Sequence, residues 1–418
     1  MPRFLIVGAG QAGLQLALSL QVEGHEVTIM SARTPEEIRG GWPTSTQAMF
    51  EPALQTEREY SLNLWEDTTP PITGLHLALS APPGQRALDV IAPLEHPGRS
   101  TDQRIKMAAW LELAEQRGAR VIYNSVSTQD LDALTQLGRY DLTIVAAGKG
   151  ELVAAFDRDP DRSPYTSPQR GLAVAYVHGL EPDPQWPVTH VGFHAIPGLG
   201  ELFVIPALAA NGPCDILFWE TVPGGGLDRW PADGSTRVPP AGHLHRTLEL
   251  IKAYTPWVYE RCANVELTDA KATLHGRYTP TVRKPVAHLP GGGIVLGMAD
   301  VVIANDPITG QGSNTAAKCA DHYRRAILAR GEEPFDEQWM TDTFEDFWAK
   351  HGRAVTEWTN AMLQPMPPHV QQILGAAASN PVVAARFANG FADPNSFGDW
   401  LMDAGKTAEY LASFAPAS

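Results

Sequence analysis

The first thirty residues set a hydrophobic pattern that returns later in the chain. Arg3 to Val7 is a short apolar run that stops at Gly8-Ala9-Gly10, Ala12 to Leu20 has apolar residues at helical spacing (Leu14, Ala17, Leu18), and Glu26 to Met30 is β-rich again. This order predicts a strand, a tight turn, a helix and a second strand. Residues 31–100 keep no period, are rich in Pro and Thr, and carry Trp42, Trp65 and His76, which predicts a long irregular excursion over a site. Helical spacing resumes from about Asp102 to Arg117, and short strands at 119–123 and 141–146 extend a parallel sheet. Between Arg170 and Val282 the text changes to alternating, aromatic-rich runs (Leu172 to Val177, Leu202 to Ile205, Ile216 to Trp219), the mark of an antiparallel sheet. A βα pattern returns at Gly291 to Ile303, before a Gly-rich loop at 306–312 and a helix over Ser313 to Arg330. Residues 336–415 are helical in period and punctuated by Pro365, Pro367 and Pro368. The expected class is therefore α/β. A split domain of residues 1–170 and 283–335 receives an inserted β-sheet domain, 171–282, and residues 336–418 add a C-terminal helical layer.

Composition narrows the function classes. A chain of 418 residues has room for two or three domains, and 44% hydrophobic with 19% charged residues excludes a disordered chain. The balance of 32 basic against 47 acidic residues gives −15, a field that repels phosphate backbones and anionic membrane surfaces, so no nucleic-acid partner is expected. Cys214, Cys262 and Cys319 are far apart, which predicts neither disulfides nor a thiolate metal site and fits a reducing compartment. The opening apolar run is too short for a signal peptide, and no run approaches the ~18 residues of a membrane helix. A cytoplasmic protein with no membrane partner is expected.

Three segments carry cofactor chemistry. Gly8-Ala9-Gly10-Gln11-Ala12-Gly13 lies between predicted strand and helix. There Gly8 permits the turn, Gly10 lets backbone approach a pyrophosphate, Gly13 allows close packing, and the helix start at Ala12 offers free N–H groups. The acidic residue expected about 20 positions on, for the ribose, is replaced by Ser31, with Arg33 nearby. Gly297-Met298-Ala299-Asp300, followed by Pro307-Ile308-Thr309-Gly310-Gln311-Gly312-Ser313-Asn314, resembles the flavin-closing motif of FAD monooxygenases of the aromatic-hydroxylase type. The resemblance implies that Asp300 binds the ribityl chain and that Pro307 to Asn314 caps the isoalloxazine. Asp141 to Gly148 resembles that family's Ala-Thr-Gly strand, with Gly148 close to the dinucleotide, and Gln103 and Arg104 stand where the family commonly places a polar contact to the diphosphate.

Nearly the whole chain resembles the two-component styrene and indole monooxygenases. The similarity runs through GAGQAGL, RTPEEIRG, YDLTIVAAGKG, the PQR at 168–170, GELFVIP, DPITGQGSN and AMLQPMPPHVQQIL. This implies a Rossmann-like FAD-binding domain with a substrate domain, FAD used as FADH2, O2 as co-substrate, and a separate NADH-dependent flavin reductase as partner. The family's styrene branch has Asn, Val and His at alternate positions of one loop; its indole branch has Ser, Gln and Met. Here the loop reads Ser45, Gln47 and Met49, with Ile72 and Leu75 at the later positions, which resembles the indole branch. The implied reaction is oxygen transfer from a flavin C4a-hydroperoxide to the C2=C3 bond of indole, giving indoxyl and then indigo. Ser45, Gln47, Met49, Ile72, Leu75, Pro307, Ile308 and Thr309 are the implied pocket residues. A styrene-type epoxidase and a non-catalytic flavin-binding protein remain as alternatives. Thirteen histidines have no HExxH-like spacing, so no metal is expected.

Overall fold

The computed structural model describes residues 1–186, 188–232 and 236–414. In chain order the elements are β1 (Arg3–Val7), α1 (Gln11–Val22), β2 (Glu26–Ser31), α2 (Pro35–Arg39), α3 (Glu51–Glu59), β3 (Ile72–Ser80), β4 (Arg86–Gly98), α4 (Gln103–Gln116), β5 (Arg120–Tyr123), α5 (Thr128–Gln136) and β6 (Leu142–Val145). There follow β7 (Gly171–His178), β8 (His190–Ile196), β9 (Gly200–Ala209), β10 (Gly212–Thr221), α6 (Pro240–Tyr254), α7 (Pro256–Tyr259), β11 (Glu266–Leu267), β12 (Thr273–Gly276), β13 (Thr281–Val282), β14 (Val286–His288), β15 (Ile294–Gly297) and β16 (Ile303–Ala304). The chain ends with α8 (Gly312–Arg330), α9 (Glu337–Phe347), α10 (Arg353–Met362), α11 (Pro368–Ala377), α12 (Pro381–Asn389) and α13 (Ala404–Ala412).

Two sheets organise these elements. The first has the order β14-β15-β6-β1-β2-β5 and is parallel except at the β14 edge. Its strands are apolar on both faces because α1, α4 and α8 cover them, as parallel sheets require. Phe4, Leu5, Ile6, Ile144 and Val295 are fully buried there. The second sheet has the order β11-β7-β10-β9-β8-β3-β4, with β12 also paired to β7. Side chains alternate across its strands. Val174, Tyr176, Phe203, Ile205, Ile216 and Phe218 face the C-terminal helices, whereas Ala173, Val177, Leu202, Val204, Leu217 and Trp219 face α6 and α7.

The segment 31–100 departs from its expected irregularity. It contains α2, α3 and the long β3–β4 hairpin, and β3 joins the second sheet by pairing in parallel with β8. The second sheet therefore takes strands from outside residues 171–282, and that stretch itself holds α6 and α7. The alternation in Ile72–Ser80 was hidden because Leu75, Leu77 and Leu79 are interleaved with His76, Ala78 and Ser80, which are also largely buried.

One buried charge group ties the second sheet to the loop after β16. Arg170 grips Glu201 through two hydrogen bonds of 2.8 and 3.0 Å. Glu220 and Asp306 lie beside them, both buried. One guanidinium thus faces three carboxyl groups, so the group retains a proton near neutrality. No N–H reaches either Glu220 oxygen, and its contact with Asp306 is a hydrogen bond only when one carboxyl is protonated. Burial, reinforced by Asp306 and Glu201, raises Glu220 well above the ordinary carboxyl range, and burial pushes Asp306 up to about 6. Asp306 in turn caps the turn Pro307–Thr309 by accepting from the Ile308 N–H at 3.2 Å. Because the folded chain holds protons on both carboxyls more tightly than the unfolded one, their contribution to stability is complete below pH 3.8, falls as pH rises through about 6 for Asp306, and falls further at higher pH for Glu220. Thermal unfolding between pH 5 and 8 should show that decline, and Glu220→Gln, whose amide donates to an ionised Asp306, should flatten it. An unchanged slope in Glu220→Gln would contradict the shared proton.

Candidate active site

The ends of β1, β6 and β15 converge where the cofactor motifs lie. Gly8 has φ +122, and a Cβ there would stand 2.7 Å from the Ala146 carbonyl carbon and the Ala147 nitrogen. A Cβ on Gly13 would lie 2.1 Å from the Gly8 oxygen. Both glycines are fixed by packing, which is the reason the motif needs them. Gly10 differs: a Cβ there would meet no atom within 4 Å. Gly10 precedes α1, whose start has no side-chain cap, so its N–H groups are open to an anion. Ala12 is buried in the first turn of α1. This combination of tight Gly8 and Gly13 with open space at Gly10 fits a dinucleotide pyrophosphate.

Gly148, just beyond β6, is pressed against Asp300, with a built Cβ 2.5 Å from the Asp300 Cβ. Asp300 lies deep among protein atoms, yet its side chain is open to the cleft. Burial raises its carboxyl while Lys149 pulls it down; burial lowers Lys149 while Asp300 pulls it up. The Lys149 ammonium donates to the Thr44 carbonyl at 3.0 Å. Lys149 was not anticipated from sequence, although it stands next to Gly148 in the AAGKG segment. The Ser31 hydroxyl donates to the Arg33 carbonyl at 2.6 Å, so no carboxylate is offered at the ribose position. Gln103, first in α4, accepts from the Thr44 hydroxyl at 3.0 Å. Arg104 is tied to Asp102 and Asp269.

The loop from Pro307 to Gly310 turns back into α8, with Gly310 in the left-handed region (φ 65). The N-terminus of α8 carries no side-chain cap, so donors and a partial positive charge face the cleft. The Asn314 side chain points elsewhere. It accepts from the Phe50 N–H and donates to the Ala48 and Gly310 carbonyls, at 2.8, 2.8 and 3.0 Å. It thereby pins the loop 45–50 to α8.

A cavity of about 120 Å³ opens between this loop, the α8 N-terminus and the second sheet. Ser45, Gln47, Leu75, Pro307, Ile308, Thr309, Gly310, Gly312, Ser313 and Asp300 line it. Met49 and Ile72 do not. The Met49 sulfur sits 3.3 Å from the Lys106 ammonium in a separate, smaller cavity, and Ile72 is fully buried against Gly98. Thr46, Ala48, Phe50, Tyr278 and Asn305 also line it, and the rest of the wall is Leu77, Val191, Phe193, Phe203, Ile205, Phe218 and Phe391. Most of these belong to alternating strands whose cavity-facing parity was not assigned from sequence. Phe391, brought in by the C-terminal layer, had no local signal. Gln47 is 4% exposed; its amide N–H donates to the Thr101 carbonyl, and its Oε1 has no partner.

Residues 148–261 match the family model described as "Styrene monooxygenase A putative substrate binding domain". The chain is 29% identical over 420 residues to styrene monooxygenase StyA of Pseudomonas fluorescens, covering 99% of this chain and 98% of that protein. The figures are the same for styrene monooxygenase StyA of a Pseudomonas species. Among solved structures, the flavin-dependent brominase Bmp2 matches 99% of each chain with a TM-score of 0.64 at 14% identity. The p-nitrophenol 4-monooxygenase PnpA from Pseudomonas putida matches 94% of this chain and 98% of its own, with a TM-score of 0.61 at 12% identity. These two share the α/β fold with its added sheet and helical layer. By its full-length similarity to the styrene monooxygenases, the chain is a flavin-dependent monooxygenase.

Proposed function

We propose that this chain is the oxygenase component of a two-component system, taking FADH2 from a separate NADH-dependent flavin reductase and using O2 to epoxidise indole at C2=C3, toward indoxyl and indigo. The observation that carries the choice of indole is the Gln47 Oε1, a buried acceptor without a partner on a cavity whose strand-borne walls are aliphatic and aromatic. An indole N–H satisfies it, and an unmade buried hydrogen bond is costly. Styrene is the second reading. It fits the same apolar walls without using Gln47, and the curated relatives are named for it.

Reduced flavin with O2 supplies the electrophilic oxygen; the protein supplies position and dryness. Gly10 and the start of α1 are suited to the pyrophosphate and the α8 N-terminus to negative charge on the flavin. Phe193, Phe203 and Phe218 would keep water from the reacting edge, and Pro307 to Thr309 would face the reacting end of the flavin. Ser31 in place of a carboxylate suits a flavin that exchanges with a reductase rather than one held permanently.

Mixing the protein with reduced FAD under anaerobic conditions and then with oxygenated indole or styrene tests the reading: indigo forming faster than styrene oxide supports it, and reoxidation to H2O2 with no product from either removes it. Gln47→Leu should lower kcat/KM for indole about tenfold, the value of one hydrogen bond of roughly 1.4 kcal/mol, and leave styrene within about twofold; an equal loss on both substrates would show that Gln47 only supports the loop. Gly10→Ala should weaken reduced-FAD binding more than tenfold while the thermal midpoint stays within a degree or two, because the added methyl meets solvent space rather than protein. A large drop in that midpoint would mean that Gly10 is structural.

A further inference from the structure

The face of the second sheet turned away from the reaction cavity carries a group of side chains with ligand chemistry. One donor atom from each of His76, Asp183 and His190 lies within 4.8 Å of the others. Strand register brings the histidines together. Gly74 pairs with His190 across the parallel β3–β8 ladder, so His76 and His190 share one face, while Leu75, Leu77, Val191 and Phe193 point into the cavity from the other. His76 is 1% exposed and His190 9%. Asp183 comes from the loop before β8, where it also accepts from the Gln185 N–H at 2.9 Å and faces Arg261 at 3.9 Å.

The second observation concerns the ring nitrogens. Nε2 of His76 meets the Asp89 carboxylate, and Nδ1 of His190 lies 2.7 Å from the Val188 carbonyl. A neutral imidazole that donates from one nitrogen keeps a lone pair on the other. Metal-ligating histidines are oriented in this way by a carboxylate or a backbone carbonyl. His194 is the third ring of the cluster, 5.4 Å from His76 between centroids. Its Nδ1 accepts from the Trp257 N–H at 3.2 Å, so its remaining nitrogen carries the proton and offers no lone pair.

We propose that His76, His190 and Asp183 form a binding site for a divalent transition ion of the zinc class, on the reverse side of the sheet that walls the reaction cavity. Two imidazoles and a carboxylate suit such an ion, whereas Ca²⁺ and Mg²⁺ take oxygen ligands. Bond lengths of about 2.0–2.1 Å require the donors to draw closer together, and Asp183, on a loop, is the one not fixed by a strand. The ion clamps β3, β8 and that loop behind Leu75 and Val191. The site does not depend on which aromatic the enzyme oxidises. Titration of the chelator-treated full-length protein with Zn²⁺, and separately with Co²⁺, should give one equivalent bound, visible ligand-field absorption for Co²⁺, and a raised thermal midpoint. His190→Ala and Asp183→Asn should weaken binding at least tenfold, with His245→Ala, at an exposed position on α6, unchanged. Binding that survives His190→Ala overturns the assignment. If that variant does not fold, the wild-type Co²⁺ spectrum decides alone: a titration without ligand-field bands overturns it.

Discussion

The geometry rests on backbone segments packed closer than any side chain permits. The Gly8 oxygen occupies the space of a Gly13 Cβ, the Ala146–Ala147 peptide crowds Gly8, and Gly148 lies against Asp300. These contacts draw the α1 N-terminus, the end of β6 and the turn after β15 to one point. Residues 8, 148 and 300 are distant in the chain but form one cleft because each meeting place lacks a Cβ on one side. The open N–H groups of α1, the Asp300 carboxyl and the Lys149 ammonium acquire their relation from this packing, which therefore shapes the cleft as well as the fold.

The second sheet solves a different problem. Both of its faces are buried, and strict alternation gives each strand two roles. On β3 and β8 one parity supplies apolar cavity wall and the other supplies His76, His190 and His194. A polar group set behind an apolar wall is tolerable only when its members satisfy one another, and the contacts to Asp89, Val188 and Trp257 do so. The Arg170, Glu201, Glu220 and Asp306 group plays a comparable part elsewhere, joining the sheet to the loop that leads into α8.

Much of the first sheet was legible in the sequence, because strand, glycine turn and helix are local signals at Arg3–Val22 and β15 ends in a recognisable motif. The inserted sheet was legible where strands alternate openly, as at 172–177, 202–205 and 216–219. It was not legible at 72–98, where small, polar and apolar residues are all buried and the pairing partner, β8, lies about a hundred positions away. The pocket loop shows the same limit. Ser45 and Gln47 reach the cavity, but Met49 is turned to Lys106 by its bridge with Arg99, a tertiary fact with no local trace. The three-residue cluster at 76, 183 and 190 has no spacing that a motif could describe.

The pairing of β3 with β8 also has a temporal side. A chain made from its N-terminus releases β3 and β4 long before β8, and β1, β2, β5 and β6 long before β15, which closes their sheet through Leu296 and Gly297. The second sheet is complete only when residue 276 has emerged and the first only at residue 297, and the α8 helix that covers the first sheet follows still later. Strand edges of both sheets are therefore exposed during synthesis, a state in which unpaired strands find wrong partners. The arrangement that lets distant segments share one cleft thus makes the first sheet dependent on residues far along the chain, and truncation before residue 273 leaves two unfinished sheets rather than one finished domain.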